Sequence, residues 1–186
     1  MIVAFSIIDI VVSLFLLIVI ILLTFDFLEM IIRKIPPLPS RSKTVKHIFE
    51  ILEKERKQKG VFVDLGCGSA KVLIAVKKRF PEIETMGYEN WPSQFLLAKI
   101  SSVIFRQKIK IIYKNLFQAD LTKADIIFCY LFPHLMRVLE RKFEKELKNG
   151  ALIICNTFPL PHWKPIETIA TLNNKTNFGK LFIYKK

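Results

Sequence analysis

The sequence predicts an α/β fold: a mostly parallel sheet of seven strands with a C-terminal antiparallel hairpin, set behind one N-terminal apolar helix. Three observations carry that expectation. Five short apolar runs, at 61–65, 83–88, 109–113, 125–130 and 151–157, are separated by gaps of which three hold helical patterns. Strand, helix, strand in repetition implies parallel pairing through right-handed crossovers. Two further strand-like runs, 166–172 and 180–184, flank NNKTNFG, whose Asn and Gly content signals a hairpin. Finally, residues 2–25 carry a single charge, Asp9.

Residues 10–25 have no charge at all, and a helix of about 20 apolar residues crosses the hydrocarbon core of a bilayer. MIVAFSIID lacks the basic start of a cleaved signal peptide, and the apolar run that follows is too long and lacks a small-residue cleavage site, so a retained anchor is expected. No Lys or Arg precedes the span, whereas Arg33, Lys34, Arg41, Lys43 and Lys46 follow it; the positive-inside rule therefore predicts an outside N-terminus and a cytoplasmic domain. IPPLPS ends the helix, because proline has no amide donor and its predecessor avoids helical geometry. The expected organisation is an anchor and juxtamembrane segment at 1–34, a stiff Pro-rich linker at 35–42 that holds the next domain near the membrane, and one domain at 43–186.

Ser40 or Ser42 can cap a helix over 43–57 that places Val45, Ile48, Phe49 and Leu52 on one face. Later helices are expected at 70–79, 92–105 and 133–148, the last ended by Asn149-Gly150. A domain of about 150 residues buries a core without covalent staples. Cys67, Cys129 and Cys155 each lie in or beside an apolar run, with no C-x-x-C or Cys/His spacing. That pattern argues against a zinc site or a disulfide framework and for reduced, cytosol-facing thiols, with no metal. The net charge of +13 becomes 27 Lys+Arg against 13 Asp+Glu, or +14, once residues 1–35 are set aside. Such a balance fits an anionic partner, nucleic acid or an acidic membrane face, and fits equally a Lys/Ile-rich sequence bias.

The stretch VFVDLGCGSAKV follows the first expected strand and turns the chain at the carboxyl end of the sheet, where open α/β folds bind their ligands. A dinucleotide loop needs G-x-G-x-x-G; here Lys71 stands at the third glycine position, and the Asp64 carboxylate would crowd a diphosphate. A carboxylate beside two glycines suits a ligand with a cationic ammonium group and no phosphate, such as S-adenosylmethionine. The loop alone also fits a glycine turn in another α/β protein.

At this point VDLGCG resembles the first motif of the class I S-adenosylmethionine-dependent methyltransferases, (V/L)-(D/E)-x-G-x-G. That resemblance implies a Rossmann-like methyltransferase sheet and S-adenosyl-L-methionine as cofactor. The next strand ends MGYEN, with Glu89 where the family places the acid that takes both ribose hydroxyls in a bidentate way. The third strand ends in Asn115 rather than the acid often found there; its carbonyl can accept the adenine amino group, with Leu116 over the ring. The cofactor-binding positions so implied are Asp64, Leu65, Gly66, Cys67, Gly68, Glu89, Asn90, Asn115 and Leu116.

Several segments are similar to the small membrane-anchored lysine methyltransferases of the ATP synthase c subunit and adenine nucleotide translocase type. They are the Pro-rich entry and helix PPLPSRSKTVKHIFEIL, VDLGCGSAKVLIAV, KNLFQADL, YLFPHLMRVLE and CNTFPLPHWKP. Ser69-Ala70-Lys71 departs from the D-G-R often seen in that branch. The resemblance implies that the turn after the fourth strand faces the sulfonium, so Tyr130, Leu131, Phe132 and Pro133 are expected to wall the methyl acceptor; N-P-P-(Y/F/W), typical of methylation at exocyclic base or glutamine amides, is absent. Tyr130, Pro133 and Asn156 are the candidate catalytic positions, with Tyr130 and Asn156 shaping or orienting a neutral lysine amine. Trp163 can line the same rim or be structural, and His134 and His162 are read chiefly as helix-start and loop residues. The expected partner is a membrane-associated protein substrate; an RNA or lipid-headgroup acceptor, or an inactive binding domain of the same fold, are the alternatives.

Overall fold

The computed structural model describes residues 6–33, 40, 42–171 and 179–186. Residues 1–5, 34–39, Arg41 and 172–178 lie outside the described residues, as do the expectations placed on them. The chain divides into two units, Met1–Pro36 and Pro37–Lys186.

The first unit is helix α1 (Ile7–Arg33), and its stretch Ile7–Phe25 is long and apolar enough to cross a membrane. Asp9 has a local task. Its carboxylate accepts the Ser6 amide at 2.9 Å and the Ser6 hydroxyl at 2.8 Å, while the Asp9 amide donates back to Ser6 Oγ. This reciprocal cap satisfies donors that lipid could not. Thr24 turns its hydroxyl onto the carbonyls of Ile20 and Ile21, so its polar group is also spent within the helix.

The second unit begins with α2 (Ser42–Lys54), whose buried stripe is Val45, Ile48, Ile51 and Leu52. Five strands follow, β1 (Gly60–Leu65), β2 (Ile83–Glu89), β3 (Lys110–Tyr113), β4 (Ile126–Cys129) and β5 (Leu152–Asn156). Between them run α3 (Lys71–Arg79), α4 (Pro92–Ile104), a 3-10 turn at Leu116–Gln118 and α5 (Pro133–Glu146). The tail supplies β6 (Glu167–Ala170) and β7 (Lys180–Lys185). The sheet order is β3-β2-β1-β4-β5-β7-β6, parallel through β5, with β7 antiparallel to both β5 and β6. The hairpin is therefore inserted with its last strand inward and β6 at the edge.

Alternation along the central strands splits the core in two. Phe62, Ile126, Phe128, Leu152 and Ile154 pack with α2 and α3 on one face. Val63, Leu65, Ile127, Cys129, Ile153 and Cys155 pack with α5 on the other. Each such Leu, Ile or Phe contributes about 1.5–3 kcal/mol on full burial.

A local expectation changes. α5 stops at Glu146 rather than at Asn149-Gly150, because Leu147 turns to extended backbone and buries its side chain in the second core cluster. In α4 the large aliphatic residues face outward, and Ala98 alone is buried.

Candidate active site

The carboxyl ends of β3, β2, β1, β4 and β5 form one rim, and strand order reverses between β1 and β4, the switch point where such sheets open a crevice. Asp64 lies next to last in β1, in register with Gly87 on one side and Phe128 on the other. The turn after β1 needs left-handed backbone at Gly66 (φ 77°), Gly68 (φ 51°) and Ala70 (φ 61°). Glycine adopts this freely, whereas an L-residue is strained there, so Ala70 takes a cost that the glycine of the D-G-R pattern would avoid. The amides of Gly66 and Cys67 both donate to the carbonyl of Tyr88, which ties the turn to β2.

Glu89 closes β2, and its carboxylate accepts three backbone amides: Gly68 at 2.8 Å, Asn90 at 2.8 Å and Trp91 at 2.9 Å. The acid thereby fixes both the glycine turn and the approach to α4. Asp64 is buried, and that burial, with the Glu89 carboxylate next in importance, pushes its carboxyl well above the usual range. Two buried acids at the ends of adjacent strands disfavour a second negative charge, and a proton or a cationic ligand group at Asp64 relieves the repulsion.

Gly87 was not singled out by sequence reasoning. A Cβ there would stand 2.6 Å from both Cys67 Sγ and Leu73 Cδ1, so the absent side chain lets the turn and α3 pack onto β2. Burial drives the Cys67 thiol far above its normal range, which makes it a packing group rather than a nucleophile. Cys129 and Cys155, register partners in β4 and β5, are free thiols 3.5 Å apart.

Asn115 stands after β3, and its side-chain oxygen accepts the Phe117 amide at 3.0 Å, capping the 3-10 turn. The oxygen expected to receive an adenine amino group thus already holds one bond, with a second lone pair left for another. Leu116 is half-buried beside it.

On the other side of the rim, Leu131 approaches the glycine turn closely: a Cβ on Gly66 would lie 3.1 Å from Leu131 Cδ2. Tyr130 is half-buried against the α2–α3 core cluster, and Pro133 is the exposed first residue of α5. Asn156 ends β5, buried, its side-chain oxygen accepting the Thr157 hydroxyl at 3.3 Å. Thr157 has φ 70°, an uncommon conformation for a β-branched residue and one that marks strained positions at rims. The Phe132 and Phe158 rings stack at 5.7 Å and join the turn after β4 to that after β5.

His162 and Trp163 belong to a clamp. Glu140, buried on α5, accepts the His162 amide at 2.8 Å, His162 Nδ1 at 2.6 Å and the Trp163 amide at 2.9 Å. Burial opposes ionisation of Glu140, yet these bonds outweigh it and hold its carboxyl below the usual range. Trp163 Nε1 donates to Glu144, and the Leu160 amide donates to the Tyr184 hydroxyl. The proline-rich segment after β5 is thereby fastened to α5.

Residues 64–167 match the family described as the ANTKMT methyltransferase domain. The chain is similar to a protein-lysine N-methyltransferase of Saccharolobus islandicus, 28% identical over 145 residues, which are 77% of this chain and 89% of that protein. It is similar to the ATP synthase c-subunit lysine N-methyltransferase of Rattus norvegicus, 30% identical over 152 residues, with 78% and 67% covered. In fold it resembles the crystal structure of an RNA methyltransferase from Salinibacter ruber in complex with S-adenosyl-L-homocysteine. There the TM-score is 0.70 at 19% identity, over 80% of this chain and 93% of that one.

Proposed function

Since the chain belongs to the ANTKMT methyltransferase domain family, we propose that it transfers a methyl group from S-adenosylmethionine to the side-chain amine of a lysine in a membrane-associated protein. The observation that carries this reading is the pair of buried acids, Asp64 and Glu89, beside a glycine turn with no basic residue within it. S-adenosylmethionine, when bound, supplies a methyl on a positively charged sulfur. Its donor needs match the residues present: Asp64 for the cationic amino-acid end, and backbone at Leu65, Gly66, Cys67 and Gly68 that a ligand can approach closely. Glu89 and Asn90 would take the ribose, and Asn115 and Leu116 the adenine. Because three amides already occupy the Glu89 carboxylate, holding both ribose hydroxyls would require one of those bonds to be shared or released.

At the acceptor side, a lysine attacks only as the neutral amine, so the rim must favour the deprotonated form and align it. Tyr130 and Asn156 would accept its N–H bonds, with Pro133, Phe132 and Phe158 excluding water. Alignment and water exclusion supply most of the rate in such an in-line transfer. The lysine acceptor is inferred from the two relatives whose names state it.

The domain boundaries at 34/35 and 42/43, the outside N-terminus and the cytoplasmic domain belong to the same reading. The orientation is supported by the five bases that follow the span, and the boundaries by the prolines at 36, 37 and 39 between the two helices.

The experiment is labelling of membranes with tritiated S-adenosylmethionine, followed by mass spectrometry of lysines in cells with and without the gene. Label that is protease-sensitive, lost with the gene and lost in Asp64→Ala supports the reading. Label removed by nuclease or by lipid extraction would overturn the lysine acceptor, and unchanged transfer by Asp64→Ala would overturn the site.

A further inference from the structure

Helix α4 is inverted relative to an ordinary surface helix. Its inward position is Ala98, while Leu96 (46% exposed), Leu97 (45%), Ile100 (46%), Val103 (75%) and Ile104 (68%) are open to solvent. At 100° per residue these five fall within one sector of about 120°, roughly opposite Ala98. Phe105, 59% exposed, extends the patch past the helix end. A contiguous aliphatic stripe of this kind marks an interaction surface.

The charges around it select the partner. Residues 90–119 contain five bases, Lys99, Arg106, Lys108, Lys110 and Lys114, and no acid. All five are exposed, and among the described residues none is in an ion pair; Lys99 lies over the Phe95 ring at 5.5 Å. Lys99 on the helix and Arg106 and Lys108 just past its end set long basic side chains beside the aliphatic face, which matches an acidic headgroup layer over hydrocarbon, with the bases at the headgroups and the aliphatics below. Single-stranded nucleic acid would call for aromatic faces as the body of the surface, whereas the five helix positions here are aliphatic and the exposed rings, Phe105 and Tyr113, stand only at the margin. Residues 34–41 are eight positions in sequence between α1 and α2, and eight residues span at most roughly 30 Å, so a bilayer crossed by α1 would be within reach of this domain.

We propose that the outward face of α4, with its basic surround, is a second membrane contact of this protein, lying in the interface of a bilayer that carries acidic lipid. The contact is made by the catalytic domain itself and is independent of the spanning helix. Because α4 starts three residues after Glu89, docking would hold that end of the rim beside the lipid surface. This inference does not depend on which acceptor the enzyme methylates.

The test uses the full chain in vesicles of phosphatidylcholine alone and of phosphatidylcholine with phosphatidylglycerol. A nitroxide is placed at Val103→Cys, an exposed site, and in a second protein at Lys145→Cys on α5; the three native thiols are buried. In acidic vesicles the label at position 103 is expected to collide more with oxygen and less with an aqueous nickel complex, while the label at 145 stays aqueous. Lys99→Gln and Lys108→Gln are each expected to lower the docked-to-undocked ratio about five-fold. A label at 103 that is as aqueous as that at 145 in both vesicles overturns the proposal. So does protection lost on nuclease treatment, or spin–spin broadening that vanishes on dilution with unlabelled protein, which would identify a second copy as the occupant. Equal immersion in phosphatidylcholine alone overturns the acidic-lipid assignment.

Discussion

The carboxylate of Glu89 accepts the backbone amide of Gly68 at 2.8 Å, so the end of one strand sets the conformation of the glycine turn that follows its neighbour. The same carboxylate takes the amides of Asn90 and Trp91. Truncation would leave three donors without this acceptor, and hydrogen bonds to a charged group contribute about 1.5–3 kcal/mol each. Removing Glu89 also relieves its repulsion of Asp64, so Glu89→Ala is expected to lose less than the three bonds together, about 2–4 kcal/mol in urea titration, and at least about tenfold in affinity for S-adenosylhomocysteine by calorimetry. Glu89→Gln should fall between. Undiminished affinity in Glu89→Ala would remove this residue from the proposed site.

Asp64 should make stability depend on pH in the direction opposite to an ion-paired carboxylate. Burial and then Glu89 raise its proton affinity in the folded state. The native protein therefore binds a proton that the unfolded chain releases, and stability falls as pH rises from the ordinary carboxylate range through the raised value. Asp64→Asn is expected to flatten that slope and raise the neutral-pH Tm by a few degrees, while abolishing S-adenosylmethionine binding. Thermal melts from acid to neutral pH check this; a variant less stable than the parent at neutral pH would contradict it.

Gly87→Ala tests the contact between β2 and the turn. The new methyl would meet Cys67 Sγ and Leu73 Cδ1 at 2.6 Å, and overpacking of this kind costs about 1–3 kcal/mol. Combining it with Cys67→Ala should recover part of the loss, read as a shift in the urea midpoint. Additive effects of the two substitutions would show that the clash is not the cause.

Glu140→Ala should unfasten the segment after β5. Loss of its charged acceptor for the His162 and Trp163 amides is expected to cost about 2–4 kcal/mol, with a change in Trp163 fluorescence. His162→Ala retains the amide bonds and removes a largely exposed imidazole, so its cost should stay below about 1 kcal/mol. Because the Glu140 carboxyl is held below its usual range, its contribution is present above that range and is lost as pH falls through the lowered value.

Much of the rim was legible because it is local. Asp64, Gly66 and Gly68 sit in one strand-and-turn, and Glu89 ends the next apolar run, so spacing alone sets them at neighbouring strand ends. Other parts involve residues far apart in the chain. The Glu140–His162 clamp joins positions 22 residues apart, and the need for glycine at 87 arises from the side chains of Cys67 and Leu73. Asn115 could be placed at its strand end, but its bond to Phe117 depends on the 3-10 turn that forms there.

By itself the sequence determined the alternation of strands and helices, the parallel core with its terminal hairpin, the apolar leader and the acid-and-glycine turn. Each of these follows from periodicity, backbone preference or spacing within a few residues. Only the tertiary structure decided that β7 enters beside β5, leaving β6 at the edge. The continuous LFIY run of β7 is buried by that inner place, whereas ETIA of β6 alternates in exposure as an edge strand can. It also decided that α4 turns its aliphatic residues outward. An apolar helix can bury either side, and Ala98 is the position small enough to let α4 sit close on the sheet.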